Sequence, residues 1–192
     1  MYLFFDTETT GLPKRYTASA SDVENWPRVV QLAWRLCDAD RRVIDDGNVI
    51  IKPVGFSIPP IAARIHGITT ERAERDGVDV TVALKAFSDA ASQASVLIAH
   101  NLSFDEPITH AEFLRCGLPV PFRDTHRRVC TMRAGKEFCR LPSPYGYGYK
   151  LPKLTELHTK LFGVGFEHAH DARADVAAGI ACFFALQDQK IL

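Results

Sequence analysis

The stretch Leu3-Phe4-Phe5-Asp6-Thr7-Glu8-Thr9-Thr10-Gly11, close to the N-terminus, predicts a short apolar strand that runs into a polar end and a glycine turn. Side chains alternate across a strand, so Asp6 and Glu8 should point to the same face, about 7 Å apart along the chain. Two carboxylates at the end of a buried strand repel each other, and both lose hydration. A metal cation is the simplest partner that removes both costs, although a polar strand end in a turn fits the same pair. The stretch therefore predicts half of a metal site, which other residues must complete.

The overall composition is that of an ordinary folded protein. The chain has 192 residues, of which 46% are hydrophobic and 24% charged, and we expect residues 1–192 to form a single domain. No apolar run approaches the roughly 20 residues of a membrane span, and the N-terminus lacks the pattern of a secretory signal, so we expect no membrane association. Five cysteines, an odd number without a Cys-x-x-Cys pair, favour reduced thiols and a cytoplasmic location.

The charge is balanced over the chain but unevenly distributed. The formal net charge is zero, which argues against a protein that coats nucleic acid by charge alone. Residues 123–160, however, carry nine Lys or Arg and only three acidic residues. Such a run is often just a solvated face. Beside an acidic metal site it would also suit a substrate with a phosphate backbone.

Hydrophobic periodicity predicts strands and helices along the rest of the chain. The predicted strands after the opening one are residues 29–37, 42–52, 95–99 and 128–132. The predicted helices are residues 61–66, 80–93, 104–116, 133–138, 153–162 and 171–189. Because the strands come first as a meander and then alternate with helices, the order predicts an α/β fold in which helices cover both faces of a mixed sheet.

Three further polar residues stand where this architecture could bring them to the opening strand. Asp105 follows the buried strand 95–99 at the start of a helix, and Asp175 lies in the first turns of the last helix. His170 precedes Asp175 by five residues, which is about 140° beyond a full helical turn. The two would not share a helix face, so we expect His170 in the turn ahead of the helix, where it can exchange a proton with solvent.

Three motifs in this order resemble those of the DEDDh exonucleases, and within that superfamily the chain is most similar to the proofreading (epsilon) subunit of bacterial DNA polymerase III. They are residues 5–11, residues 100–105 and the pair His170-x4-Asp175. The resemblance covers nearly the whole chain. It implies a ribonuclease H-like fold, with a five-stranded mixed sheet of order 3-2-1-4-5.

The resemblance also implies roles for individual residues. The four metal-binding acids would be Asp6, Glu8, Asp105 and Asp175, and His170 would be the general base. The cofactors would be two Mg²⁺ or Mn²⁺ ions about 3.5–4 Å apart, hard cations that prefer oxygen ligands. Asp6 would bridge both ions, while Glu8 and Asp175 would hold the ion on the side of the nucleophile. Asp105 would hold the second ion through water, and His170 would take a proton from the attacking water.

The expected reaction is removal of nucleotides from the 3′ end of single-stranded DNA as nucleoside 5′-monophosphates. The residues predicted to contact the substrate are Thr7, Thr9, Thr10, Gly11, Leu12 and Asn101. An alternative is the same chemistry on RNA, as in the RNase T and oligoribonuclease branches. The catalytic positions would look the same in both, and the 2′-OH is the discriminating group. A non-catalytic binding module with a relic site is a third possibility, against which the presence of all five catalytic residues argues.

Two features have no counterpart in the resemblance. The loops over residues 13–27 and 145–149 are expected to be variable segments. In the second, Tyr145, Tyr147 and Tyr149 alternate with glycines beside the basic residues, where they could stack on unpaired bases or simply shield the loop. The sequence also ends soon after its last predicted helix, without a tail like the one by which the polymerase subunit binds its polymerase, so association with a polymerase is left open.

Overall fold

The computed structural model describes all 192 residues, with a five-stranded sheet at the centre. The strands are β1 (Tyr2–Thr9), β2 (Val29–Cys37), β3 (Val43–Ile50), β4 (Val96–Ala99) and β5 (Arg127–Cys130). The helices are α1 (Pro60–His66), α2 (Thr70–Asp76), α3 (Val80–Gln93), α4 (Leu102–Arg115), α5 (Thr131–Ala134), α6 (Lys136–Cys139), α7 (Leu154–Phe162) and α8 (Ala172–Asp188). None of the helices combines the length and the apolar character needed to cross a membrane.

The sheet has the order β3-β2-β1-β4-β5, which confirms the predicted ribonuclease H-like arrangement. The pairs β1–β2 and β2–β3 are antiparallel, whereas β4 is parallel to both β1 and β5. The opening strand is therefore central, with strands on both sides. Because β1 and β4 run in the same direction, their polar C-terminal ends meet at one edge of the sheet.

Side chains of β1 alternate between two apolar layers. Leu3 and Phe5 belong to the larger core, together with residues of α3 and α4. Phe4 belongs to a second core, which α8 covers with Val176 and other residues. By the same alternation, Asp6 and Glu8 continue the face covered by α8, and Thr7 continues the face covered by α4.

The predictions around the fifth strand need correction. The strand predicted over residues 128–132 ends at Cys130, and the helix predicted over 133–138 is two short helices, α5 and α6, that meet at Gly135. The buried Thr131 already begins α5, where its hydroxyl faces His100. A Cβ on Gly135 would lie 2.9 Å from the Leu157 side chain, so glycine lets this turn approach α7 closely.

The helix α2 has no counterpart in the sequence prediction. Ala73 is its one buried residue, so α2 lacks the apolar periodicity by which the other helices were recognised. The helix begins because the Thr69 hydroxyl accepts a hydrogen bond from the backbone N–H of Arg72. α4 also begins earlier than predicted, at Leu102, directly after Asn101 in a left-handed conformation with φ of 85°.

Candidate active site

The ends of β1 and β4 and the starts of α4 and α8 surround a cavity of about 580 Å³. All five residues predicted to be catalytic line this cavity: Asp6, Glu8, Asp105, His170 and Asp175. Three of the predicted substrate-binding residues, Thr7, Leu12 and Asn101, also line it. The structure thus brings together side chains that lie up to 169 positions apart in the sequence.

Glu8, His170 and Asp175 form the tightest group of potential metal ligands. One carboxylate oxygen from each acid and one ring nitrogen of the histidine lie within 4.8 Å of one another. Asp6 is close enough to Glu8, Asp105 and Asp175 for all three carboxyl groups to affect its ionisation. Asp6 is therefore electrostatically coupled both to Glu8 and Asp175 and to Asp105.

Asp105 is held from the other face of β1. It lies in the first turn of α4 with only 2% of its surface exposed, and its Oδ1 atom accepts two hydrogen bonds from Thr7. The Thr7 backbone N–H donates at 3.0 Å and the Thr7 hydroxyl at 2.8 Å. An acid at this position also interacts favourably with the helix dipole. Thr7 therefore fixes the orientation of Asp105, and this bond occupies its hydroxyl hydrogen.

Gln31 secures the start of α8 beside the strand that carries Glu8. It is buried, and it stands opposite Glu8 in the β1–β2 register. Its side-chain amide donates to Asp171 Oδ2 at 3.3 Å, and its carbonyl oxygen accepts from the backbone N–H of Ala172 at 3.2 Å. Asp171 in turn caps the helix. This network fixes the first turns of α8, from which Asp175 reaches the site.

His170 lies in the turn ahead of α8, as its spacing from Asp175 predicts. The imidazole is exposed, and the residue has a left-handed backbone with φ of 70°. Its backbone N–H donates to Asp175 Oδ2 at 3.3 Å, which ties the turn to the carboxylate. The ring is therefore placed at the site while it remains open to solvent.

The pKa values of the four carboxyl groups are all raised, because they are buried close to one another. Burial and the neighbouring acids raise the pKa of Glu8 to about 8. Burial raises the pKa of Asp175 to about 6, although the hydrogen bond from the His170 backbone opposes the change. Burial raises the pKa of Asp105 to about 7, although the two hydrogen bonds from Thr7 oppose the change. Burial, followed by repulsion from Asp105, raises the pKa of Asp6 well above its usual range.

One of these carboxylates also has an unsatisfied atom. Asp175 Oδ1 is buried and has no hydrogen-bond partner, which is costly for a charged acceptor. A cation bound among these oxygen atoms would give Asp175 Oδ1 a partner and would offset the repulsion between the carboxylates. The carboxylate oxygen atoms of the four acids fit a hard divalent cation.

His100 is a residue of the site to which sequence reasoning gave no role. Its Nε2 atom lies 3.0 Å from the backbone carbonyl oxygen of Pro152, and its Nδ1 atom 3.0 Å from the Thr131 hydroxyl. A carbonyl can only accept, so Nε2 carries the proton and Nδ1 accepts from Thr131. Burial lowers the pKa of His100 to about 4, so the ring is neutral. His100 therefore connects the end of β4 to the segment that precedes α7.

Other cavity residues missed by sequence reasoning are Tyr16, Phe104, Met132, Lys153 and Phe166. Most of them come from loops and helix starts, where no periodic pattern reports which side chains face a cavity. For His100 a signal was present, since it is the first residue of the motif that contains Asp105. Its position there could have suggested a role near the site.

Three predicted substrate contacts lie outside the residues that line the cavity. The Thr9 hydroxyl donates to the Gly11 carbonyl oxygen at 2.7 Å, and the Thr10 hydroxyl accepts from the Arg28 backbone N–H at 3.0 Å. These bonds shape the turn after β1. Leu12, by contrast, lines the cavity with 73% of its surface exposed. Substrate contact by Thr9, Thr10 and Gly11 stays a prediction.

Comparison with known proteins identifies the family. A model of the exonuclease family, RNase_T, matches residues 3–183. The chain is 32% identical over 191 residues to the PolC-type DNA polymerase III of Streptococcus suis, and 28% identical over 193 residues to that of Lacticaseibacillus paracasei. These alignments cover 97% and 98% of this chain but only 11% of each polymerase.

The fold is shared with solved exonuclease structures. Escherichia coli Exonuclease I in complex with a dT13 oligonucleotide matches 98% of this chain and 41% of its own, with a TM-score of 0.75 and 25% sequence identity. The zinc-bound form of the complex between E. coli Exonuclease I and single-stranded DNA has the same fold, with a TM-score of 0.75 at 23% identity. Because the family model spans most of the sequence and the sheet order agrees, the chain belongs to the exonuclease family, within the DEDD exonuclease superfamily.

Proposed function

We propose that residues 1–192 act as one DEDDh-type 3′–5′ exonuclease domain that hydrolyses single-stranded DNA from its 3′ end and releases nucleoside 5′-monophosphates. The observation that carries this proposal is the meeting of the five predicted catalytic residues at one open cavity. The similarity to E. coli Exonuclease I, whose structure contains a dT13 oligonucleotide, supports DNA as the substrate.

Two divalent cations, Mg²⁺ or Mn²⁺, are part of the proposal. Asp6, Glu8, Asp105 and Asp175 would hold them. When bound, such cations make a water molecule a stronger nucleophile and neutralise charge on the leaving oxygen. The raised carboxyl pKa values and the unpartnered Asp175 Oδ1 support this part of the proposal.

His170 is the proposed general base. Its ring lies beside Glu8 and Asp175, so a water molecule held by the acids would be within its reach. Its exposure lets it pass the proton on to solvent. The water then attacks the phosphorus atom, and the bond to the 3′ oxygen of the preceding nucleotide breaks. That oxygen takes up a proton from solvent, and the released nucleotide keeps its 5′-phosphate.

The remaining cavity walls suit a terminal nucleotide. Leu12, Tyr16 and Phe166 offer apolar and aromatic surface to a base and sugar, and the Lys153 side chain offers positive charge to a phosphate. We also propose a reducing, cytoplasmic environment, since three of the five cysteines are buried as free thiols.

The experiment compares single-stranded DNA and RNA of one sequence, each labelled at the 3′ or the 5′ end, with Mg²⁺ or Mn²⁺. We expect the 3′ label to be released first as a mononucleotide, and the 5′-labelled strand to shorten one nucleotide at a time. DNA should be degraded faster than RNA. Faster degradation of RNA would replace the substrate with the RNase T-like alternative, and early loss of the 5′ label would refute the direction.

A further inference from the structure

We propose that Tyr145 and Tyr147 form a stacking site for unpaired bases that lie upstream of the 3′ end. The two residues are at the tip of a small hairpin, residues 141–150, which we call the tyrosine hairpin. This inference rests on the proposed function, since it assumes a single strand whose 3′ end lies in the cavity. The stacking site would be a second point of contact with the strand, which binds bases rather than the scissile phosphate.

Backbone pairing and two glycines define the conformation of the tyrosine hairpin. The Lys150 backbone N–H donates to the Leu141 carbonyl oxygen at 2.9 Å, and Pro142 and Tyr149 form a β-bridge just above this bond. Gly146 and Gly148 have left-handed φ values of 80° and 66°, which tighten the tip. The turn is therefore specified by the alternating glycines, and the tyrosines stand between them.

The two tip tyrosines are unusually exposed. Tyr145 and Tyr147 each have 81% of their surface exposed, the highest values among the large hydrophobic residues of the protein. Neither ring contacts another aromatic ring or a cation. Most of the surface of each tyrosine is therefore open to solvent, where a ligand can reach it. A nucleobase, which has a π-face whatever its sequence, fits such a platform.

The hairpin is fixed to the wall of the active-site cavity. It leads directly into Leu151, which lines that cavity. Because Leu151 is four positions after Tyr147, their Cα atoms can be at most about 14 Å apart. Glu156 holds the base of the hairpin, because its carboxylate accepts from the Lys150 side chain and from the Lys153 backbone N–H. A strand that leaves the cavity on this side would meet the tyrosines within a few nucleotides.

Charge favours the same ligand. Exposed basic residues close to the hairpin in sequence include Arg133, Arg140 and Lys153, with one exposed acid, Glu137, among them. These basic residues belong to the basic window of residues 123–160. They would attract a phosphate backbone without regard to sequence. Aromatic rings beside a positively charged track are the combination found in proteins that bind single strands.

The experiment measures binding by fluorescence anisotropy in EDTA, with the full chain and two probes. One probe is a 5′-fluorescein oligothymidylate of about 12 nucleotides. The other has the same backbone with abasic sugars at all but the two 3′-terminal positions. We expect the protein to bind the first probe about tenfold or more tightly than the second, since each stacked base contributes about tenfold. The double variant Tyr145→Ala/Tyr147→Ala should bind both probes with the affinity that the wild type has for the abasic probe.

A conservative variant and a hydrolysis assay make the outcomes distinct. Tyr145→Phe/Tyr147→Phe keeps both rings and should keep the preference for bases. The inference would be overturned if the alanine variant bound both probes more weakly by the same factor, or if it kept the wild-type preference for the probe with bases. Because binding in EDTA does not require hydrolysis, base-dependent binding by a protein that degrades nothing with Mg²⁺ would overturn the proposed function and leave the stacking site.

Discussion

The replacement Glu8→Gln should stabilise the protein at alkaline pH in the absence of divalent cations. Burial and the neighbouring acids raise the pKa of Glu8 from 4.5 to about 8. The folded state therefore keeps a proton that the unfolded chain has released, and stability falls as the pH rises from about 4.5 to 8. At about 1.4 kcal/mol per pH unit, this loss reaches at most about 4 kcal/mol at pH 8 and is under about 1 kcal/mol at pH 5.

Urea denaturation in EDTA at about pH 5 and pH 8 measures the effect. Gln cannot ionise, so we expect the free energy of unfolding of the variant to exceed that of the wild type by about 2–4 kcal/mol at pH 8. At pH 5 this difference should disappear. Glu74→Gln is the matched control, because Glu74 is exposed on α2 and forms no ion pair there. The same pH dependence in the wild type and the Glu8 variant would refute the electrostatic account. With a saturating divalent cation, the wild type alone should recover the lost stability.

Four other replacements test how the site is held and used. His170→Gln should keep cation binding, measured by calorimetry, and lose about 10²–10⁴-fold in turnover; an unchanged rate would remove it as the base. Thr7→Val should weaken cation affinity about tenfold or more because Asp105 loses one charge-assisted hydrogen bond, whereas unchanged affinity would make that bond irrelevant. Gln31→Met should lower the turnover number without unfolding the protein, as judged by circular dichroism; wild-type turnover would show that α8 is placed by packing alone. His100→Phe should raise KM more than it lowers kcat because it frees the segment at Pro152, and an unchanged KM would argue that the segment does not bind substrate.

The central part of the fold follows from local patterns. β2 and α3 have the bounds that the sequence predicts, because β2 is an almost continuous buried run and α3 buries apolar residues at helical spacing. Strand alternation correctly places Asp6 and Glu8 on one face, and helical geometry correctly places His170 ahead of α8. The order of the strands was implied by the resemblance, since no local pattern fixes which strands are neighbours.

The supports of the site depend on tertiary contacts that no local pattern reports. The bonds from Thr7 to Asp105 join residues 98 positions apart. The bond from Gln31 to Asp171 depends on the register of β2 and on where α8 begins. The exposed tyrosines of residues 141–150 were visible in the sequence, but whether they were free or covered required the structure.

The measurement that tests the central claim most directly is a time course on 5′-labelled single-stranded DNA with Mg²⁺, resolved at single-nucleotide resolution. Wild type and Glu74→Gln should give a ladder that shortens one nucleotide at a time from the 3′ end. EDTA should abolish the ladder, and so should Asp6→Ala, because Asp6 lies among the other three carboxylates. Internal cuts, or a ladder that survives Asp6→Ala or EDTA, would contradict the assignment of these acids to a cation-dependent exonuclease site.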